Sequence, residues 1–437
     1  MLAILAVPPA IFRAMCLGNS CAGTGGGTTR VPFCPLPPEL RSDIQAGFRT
    51  GRSPDVLGVT AGTPVIGGTA EGEQRWITAR WPSTAELPDT RVPIAFAGAG
   101  VWRGARIPPG TGLDQIAPTV SDVLGFPRPH PGVRAGVAVP GVRRTGATPP
   151  RLVLEVAWKG VGSDDLERVP GRWPFLRSMM AQAGTMDGTT GSVPVDPAAT
   201  LTTIGTGGLP SQHGMTGTAV RNDRGRAVRA WGPGSPISVI ATLADDMDQA
   251  MHQRPMIGLV ATDPADRGMV GGTWYVPHDR DRVSYTAGRT SQQRAVANLL
   301  ADGFGADGVP DILAVVMQGP IFQMDAELRE IVGATNAATG GSTIVVVAGT
   351  GSALAPDGSG VPAQRVVAQV ERAVGGERPV VAAAVPGGLF LNQPALAAEG
   401  ISGQAVQQAL LDLDGPGAQR LFTDSFQGFA VSFARYC

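Results

Sequence analysis

Apolar and polar positions follow two recurring patterns along this chain. Stretches that are apolar throughout, at 151–160, 311–319 and 342–351, are separated by segments with apolar residues at helical spacing. The first pattern predicts strands buried on both faces, and the second predicts amphipathic helices. Their alternation after residue 150 predicts an α/β fold, a three-layer α/β/α sandwich with a mostly parallel central sheet.

The same pattern gives the individual elements. We expect strands at 55–62, 91–101, 151–160, 255–262, 311–319, 342–351 and 378–391, the last of these as one strand or two. We expect helices at 39–48, 113–126, 175–184, 238–251, 291–305, 325–338 and 362–375.

Glycine and proline divide the chain into four parts. We expect an apolar N-terminal segment with a Gly-rich linker (1–35), a globular segment (36–136), a linker (137–150) and a long globular segment (151–437). The chain has 437 residues, of which 43% are hydrophobic, so it can bury a large core despite 61 glycines. Its net charge of −1 gives no electrostatic reason to expect nucleic acid or an acidic membrane surface as a partner, and other partners stay unknown.

The cysteines lie at the two ends of the chain, as Cys16, Cys21, Cys34 and Cys437. An even number placed in this way favours disulfides and an oxidising compartment, against the alternative of small unpaired side chains. The first dozen residues are apolar, too short to span a bilayer, and lack the basic start of a signal peptide. They fit the end of a membrane anchor, so we expect an extracytoplasmic or membrane-associated protein.

One short motif points to a family. Thr206-Gly207, Pro210 and His213-Gly214 form the pattern T-G-x-x-P-x-x-H-G. This pattern resembles the segment after the nucleophile in the alkaline phosphatase superfamily, in its type I phosphodiesterase / nucleotide pyrophosphatase branch. The resemblance implies an alkaline-phosphatase-like fold with a two-metal site at the carboxyl ends of the strands.

The order of the resembling segments is unusual. Residues 151–437 resemble the beginning and middle of the family domain, whereas 36–136 resemble its C-terminal part, including a closing helix at 116–129. We interpret this order as a circular permutation; a fusion of two unrelated pieces is the alternative. The permutation would place the new ends near Cys34 and Cys437, where a disulfide would join them.

The resemblance also shows what the reaction centre has lost. The family's metal-binding positions correspond to Lys159, Gly349, Thr350 and Pro82, and its nucleophile position to Val195. None of these side chains can serve as expected, because an ammonium group does not ligate zinc and valine has no nucleophilic atom. Lys159 is the only lysine in the sequence. It is a candidate for binding an anion, and the alternative is a surface cation beside a strand end.

Other residues leave room for an active site that the resemblance misplaces. Hydroxyl groups near the nucleophile position belong to Ser192, Thr200 and Thr202. The histidines are His130, His213, His252 and His278, and their spacing suggests no zinc site. Acidic residues near the predicted sheet are Asp164, Asp165, Asp196, Asp263, Asp266 and Asp311, for which helix caps and loops are the plainer interpretation.

Three functions therefore stay open. The first is a catalytically inactive alkaline-phosphatase-like protein that binds an anionic phosphate or sulfate ester in the former cleft and needs no cofactor. The second is a phosphodiesterase or phosphatase that uses zinc or another divalent metal held by displaced ligands. The third is a structural or interaction protein of the cell envelope. The sequence does not identify a ligand or an oligomeric state.

Overall fold

Most strands of this protein belong to two main sheets. The structure is a computed structural model that describes residues 32–67, 90–276, 280–286, 289–352, 360–434 and 437. Its strands are β1 (Val56–Thr60), β2 (Val65–Ile66), β3 (Arg91–Gly98), β4 (Leu152–Trp158), β5 (Gly184–Thr189), β6 (Ala219–Arg221), β7 (Ala227–Arg229), β8 (Ile257–Ala261), β9 (Arg282–Tyr285), β10 (Asp311–Met317), β11 (Thr343–Gly349), β12 (Val361–Pro362), β13 (Val381–Val385), β14 (Gly388–Leu391) and β15 (Phe422–Gln427).

Helices follow most of these strands. They are α1 (Pro38–Gly47), α2 (Ile116–Leu124), α3 (Ser163–Arg168), α4 (Pro174–Ala183), α5 (Pro197–Thr206), α6 (Pro210–His213), α7 (Leu243–Ala250), α8 (Arg289–Ala301), α9 (Ile321–Thr339), α10 (Ala363–Val374), α11 (Gln393–Glu399), α12 (Gly403–Leu411) and α13 (Gly428–Ser432).

The central sheet has seven strands in the order β5-β3-β11-β4-β10-β8-β9. The five strands from β11 to β9 run parallel, and β3 pairs antiparallel with both β11 and β5. One face packs on α2, α5 and α7, and the other packs on α4, α8 and α9. The predicted α/β sandwich with a mostly parallel central sheet is confirmed.

The segment before residue 137 contributes to this sheet. Its strand β3 lies between β5 and β11, and residues 92–97 of β3 are buried. The sequence segments 36–136 and 151–437 therefore build one sheet together rather than two separate cores. Residues 137–150, which connect them, contain no helix or strand longer than a single bridge.

The second sheet is smaller and antiparallel. It has the order β13-β14-β1-β15, so that β1 from the beginning of the chain lies between strands from its end. Helices α10 and α12 cover it with apolar side chains that include Val366, Val370, Val406 and Leu410. Segments from the two ends of the chain therefore meet in this sheet.

Two predicted helices differ from the observed ones at their ends. The helix expected at 238–251 begins only at Leu243, because the Thr242 side chain accepts a hydrogen bond from the Asp245 amide at 3.1 Å and caps it. The helix expected at 113–126 is a 3₁₀ turn (Leu113–Gln115) followed by α2, which ends at Gly125 in the left-handed conformation.

The two ends of the described chain are joined covalently. Cys34 and Cys437 form a disulfide with their Cα atoms 5.1 Å apart, which confirms the predicted pairing. This bond is consistent with an extracytoplasmic location. Cys16 and Cys21 lie outside the described residues. No helix within the described ranges is long and apolar enough to cross a bilayer.

Candidate functional site

The carboxyl ends of the parallel strands bring the predicted site residues together. Lys159 directly follows β4, Thr262 follows β8, and Thr350 follows β11. The register pairs Trp158, at the end of β4, with both Met317 and Gly349. In open parallel sheets this edge is the usual place for a ligand. Pro82 lies outside the described residues.

The charge of Lys159 is balanced inside the protein. Its Nζ atom lies 2.6 Å from Oδ1 of Asp266, and the Lys159 side chain is 14% exposed. The other oxygen of Asp266 accepts hydrogen bonds from the Thr262 amide at 3.0 Å, the Thr262 hydroxyl at 2.7 Å and the Asp263 amide at 2.9 Å. The ammonium group therefore holds together the ends of β4 and β8.

The positions after β11 are shaped by close backbone packing. A Cβ atom at Gly349 would lie 2.3 Å from the Val161 carbonyl oxygen and 2.8 Å from Cδ of Pro93. An aspartate ligand at Gly349 would therefore force the backbone apart. The hydroxyl of Thr350 accepts a hydrogen bond from the Gly160 amide at 2.8 Å, so it connects the ends of β4 and β11.

Val195 lies in an apolar cluster at the start of α5. The cluster includes Leu40 and Ile44 of α1, so this helix covers Val195. Behind Val195, the Asp196 carboxylate caps α5 by accepting from the Ala198 amide at 2.9 Å. The helix N-terminus, which could bind an anion, is thus occupied by a side chain of the protein itself.

The hydroxyl groups of the threonines close to Val195 also form hydrogen bonds within the protein. The Thr200 hydroxyl lies 3.2 Å from the Asp196 and Pro197 carbonyl oxygens, and the Thr202 hydroxyl lies 2.8 Å from the Ala198 carbonyl oxygen. These contacts tie the hydroxyls to their own helix. Ser192 is buried as well.

The T-G-x-x-P-x-x-H-G motif builds two helix ends. Gly207 terminates α5 and Gly214 terminates α6, both in the left-handed conformation that favours glycine (φ 73° and 79°). Pro210 starts α6, and the Thr206 hydroxyl accepts from the Gly208 amide at 3.2 Å. Thus, the motif fixes a tight connection between two buried helices.

His213 is a buried link within that connection. Its Nδ1 accepts a hydrogen bond from the Met215 amide at 3.1 Å, which leaves Nε2 to donate to the Thr203 hydroxyl at 3.1 Å. Burial lowers the pKa of His213 to about 3, and the charge of Arg49 acts in the same direction. The ring is therefore neutral at ordinary pH, with both nitrogens engaged.

Two buried arginines hold the end of α5. The side chains of Arg128 and Arg134 both donate to the Thr206 carbonyl oxygen, at 2.8 and 3.0 Å. Both also pair with Oδ2 of Asp246, at 2.8 and 3.0 Å. Sequence reasoning missed this network, and no local signal could have found it, since each arginine lies more than 70 residues from Thr206 and from Asp246.

The remaining candidates are dispersed. His130 and His252 are exposed, whereas His278 lies outside the described residues. Asp311 begins β10 and therefore lies at the edge opposite Lys159, where it accepts from the Met256 and Gly305 amides. Asp164 pairs with Arg91, and the carboxylates that accept from backbone amides near helix starts are Asp165, Asp196, Asp263 and Asp266. In the part of the chain that the structure describes, no three His, Cys, Asp or Glu residues are grouped to hold a metal ion.

A small cavity lies next to Val193 and Pro194, just before Val195. It measures about 10 Å³ and is lined by residues that include Ile44, Phe48, Leu57, Val193 and Pro194. Such a volume has room for about one water molecule. Small-molecule pockets measure roughly 300–1,000 Å³, so this cavity is too small for a phosphate ester.

Comparisons with known proteins give one finding. No protein-family model matches the chain, and no curated protein matches it either. Among solved structures, the crystal structure of a mutant of alkaline phosphatase PafA is similar, with a TM-score of 0.40 and 14% identity. The similarity covers 60% of this chain and 76% of that chain. Similarity at this level supports no conclusion about activity.

Proposed function

We propose that this chain is a circularly permuted, catalytically inactive alkaline-phosphatase-like protein that serves as an interaction protein of the cell envelope. The observation that carries the proposal is the ion pair of Lys159 with Asp266. It lies at the strand end where the resemblance implies a metal-binding carboxylate, and an ammonium group cannot ligate a metal ion. The donor set does not fit a two-metal centre, because a lysine, a glycine and a threonine stand at three of the expected ligand positions.

In this proposal, the side chains near the expected reaction centre stabilise the fold instead of binding a metal or a substrate. Lys159, Thr350 and Asp196 each connect or cap elements of the fold. A phosphate ester at Lys159 would have to compete with the Asp266 carboxylate at 2.6 Å. This competition disfavours the anion-binding role. We therefore place the function on the outer surface of the protein and on the apolar N-terminal segment of the sequence.

The proposal is tested by metal analysis and hydrolysis assays on the purified full chain. We expect less than stoichiometric zinc, manganese and calcium, and no turnover of nitrophenyl phosphate mono- and diesters when these metals are added. Stoichiometric metal together with turnover that chelation abolishes would show that the protein is an enzyme.

Calorimetric titration with inorganic phosphate and phenyl phosphate tests the anion-binding role. We expect no saturable binding to the wild type, to Lys159→Ala or to the control Arg224→Gln, whose side chain is exposed on the β6–β7 turn. Saturable binding that Lys159→Ala alone removes would restore the anion-binding interpretation.

A further inference from the structure

A seam at the surface between α4 and α9 carries exposed arginines over aromatic rings, of which Trp173 is buried and Phe322 is half exposed. This arginine–aromatic seam consists of Arg172, Trp173, Phe175, Arg177, Phe322 and Arg329. The distances from guanidinium carbon to ring centroid are 5.7 Å for Arg172 and Phe322, 4.4 Å for Arg177 and Trp173, and 5.6 Å for Arg329 and Phe175. All three pairs lie within the range of cation–π contacts.

The seam is one continuous surface, because α4 and α9 are joined beneath it. The Asp325 carboxylate, on α9, accepts hydrogen bonds from the Phe175 and Leu176 amides at 3.0 and 2.8 Å. Asp325 therefore caps the start of α4 and fixes its position against α9. Phe322 and Arg329 are seven residues apart, two turns of the same helix, and so lie on the same side of α9.

The positive charges of the seam are open to a partner. Arg172, Arg177 and Arg329 are exposed, and within the described part of the chain none of them forms an ion pair. The neighbouring carboxylates point elsewhere: Glu330 accepts from Gln293 of α8, and Glu167 pairs with Arg91. Apart from a hydrogen bond from Arg177 to the Pro170 carbonyl oxygen, the guanidinium edges stay available.

Stacking prepares these arginines for binding. A ring beneath the guanidinium plane limits the rotamers that a long side chain explores, and the N–H groups at the edge remain free to donate. Phe322 adds an apolar group, since half of it (50%) is exposed. The whole chain carries a net charge of −1 and has no overall attraction to an anionic partner, so any such attraction has to come from local groups of arginines such as this one.

We propose that the arginine–aromatic seam binds an anionic lipid bilayer, with the arginines on phosphate headgroups and Phe322 at the boundary of the acyl chains. Arginine next to exposed phenylalanine is the composition of interfacial membrane-binding surfaces. An acidic peptide would need an apolar side chain at one particular position to contact Phe322, whereas an anionic bilayer offers phosphates and acyl chains along its whole surface, so we choose the lipid surface. The inference rests on the interaction role proposed above and names its partner.

Co-sedimentation of the full chain with vesicles tests this proposal. Vesicles of phosphatidylcholine are compared with vesicles that also contain phosphatidylglycerol, at low and high salt. We expect binding to rise with the anionic lipid and to fall with salt. The triple substitution Arg172→Gln/Arg177→Gln/Arg329→Gln should weaken binding to the anionic vesicles about a hundredfold, at about fivefold per arginine. Phe322→Ser should weaken it severalfold.

A matched control has the same change of charge elsewhere. Arg224→Gln/Arg226→Gln/Arg372→Gln removes three exposed arginines outside the seam and should leave vesicle binding within about twofold of the wild type. Binding that is equal in seam and control variants, or independent of phosphatidylglycerol, would overturn the proposal and assign the binding to the apolar N-terminal residues. Seam-dependent binding of an acidic peptide without vesicle binding would overturn it in favour of a protein partner. Lipid binding is measured without any hydrolysis assay, so its failure is separate from the discovery of an enzymatic activity.

Discussion

Arginine serves two different purposes in two regions of this molecule. In the interior, Arg128 and Arg134 are each 5% exposed and share the fully buried carboxylate of Asp246. On the surface, the arginine–aromatic seam holds its guanidinium groups over rings, and among the described residues no carboxylate pairs with them. The buried charges therefore join distant segments of the chain. The exposed arginines of the seam form no ion pair within the described residues, so they are accessible to a binding partner.

The comparison shows what burial demands of a charge. A buried ion is tolerated when partners replace its water, and removing one partner leaves the other uncompensated. An exposed cation stays hydrated and contributes little to stability. Substitutions in the two regions should therefore differ in which property they change, and the following predictions begin with the largest effect on stability.

Removal of the interior anion should have the largest effect. Asp246→Ala leaves two guanidinium groups buried without a counter-charge, so we expect a loss of about 3–5 kcal/mol in the free energy of unfolding. Urea denaturation followed by circular dichroism measures this change. The control is Asp122→Ala, which breaks the exposed pair with Arg143 and should cost less than about 1 kcal/mol. Equal losses in the two variants would contradict the distinction between the regions.

The buried Glu155 carboxyl tests how an ionisable group in the interior makes the stability of the fold depend on pH. Burial raises the pKa of the Glu155 carboxyl to about 8, and the charge of Arg128 acts in the opposite direction. In the unfolded chain this carboxyl has its ordinary pKa of 4.5, so the unfolded chain releases the proton first and stability falls as the pH rises from 4.5 to 8. Glu155→Gln removes the effect, and its advantage over the wild type should grow to a few kcal/mol between about pH 5 and pH 9.

His213 provides the comparison of opposite sign. Its folded-state pKa, about 3, lies below the ordinary histidine value of 6.5 because of burial. The unfolded chain therefore gains a proton first, and stability falls as the pH decreases from 6.5 towards 3. Urea midpoints measured from about pH 4 to pH 9 separate the two effects. An advantage of Glu155→Gln that does not change with pH would show that Glu155 is not protonated in the folded state.

Substitution of the surface arginines should have the smallest effect on stability. Arg172→Gln, Arg177→Gln and Arg329→Gln each remove an exposed cation–π contact, worth about 0.5–1 kcal/mol. Thermal unfolding should therefore show each single variant close to the wild type, while its binding to anionic vesicles weakens about fivefold. A loss as large as that of Asp246→Ala would mean that the seam is structural.

The pattern of apolar residues predicted the central strands well and one central helix not at all. Strands β4, β10 and β11 are apolar throughout because both of their faces are covered, and this pattern is visible without a structure. Helix α5 is buried on every side, so its ten residues show no polar face and no helical period. A pattern of alternation cannot reveal a helix that has no exposed side.

The sequence singled out Lys159 and Val195 as candidate positions, but not the side chains that contact them. The family resemblance suggested that Lys159 stands where a metal-binding carboxylate is expected. Its partner Asp266 lies 107 residues further along the chain, and only the folded sheet brings β4 and β8 near enough for the pair. Similarly, nothing in the local sequence of Val195 indicates that α1 covers it.

The disulfide between Cys34 and Cys437 has a mechanical consequence. It closes a loop of chain whose ends are 403 residues apart in sequence, and nearly the whole described fold lies within that loop. Tension applied between the N-terminal residues and the C-terminus would pass from residue 34 through the sulfur atoms to residue 437. The sheets within the loop would bear none of that load as long as the disulfide stays oxidised.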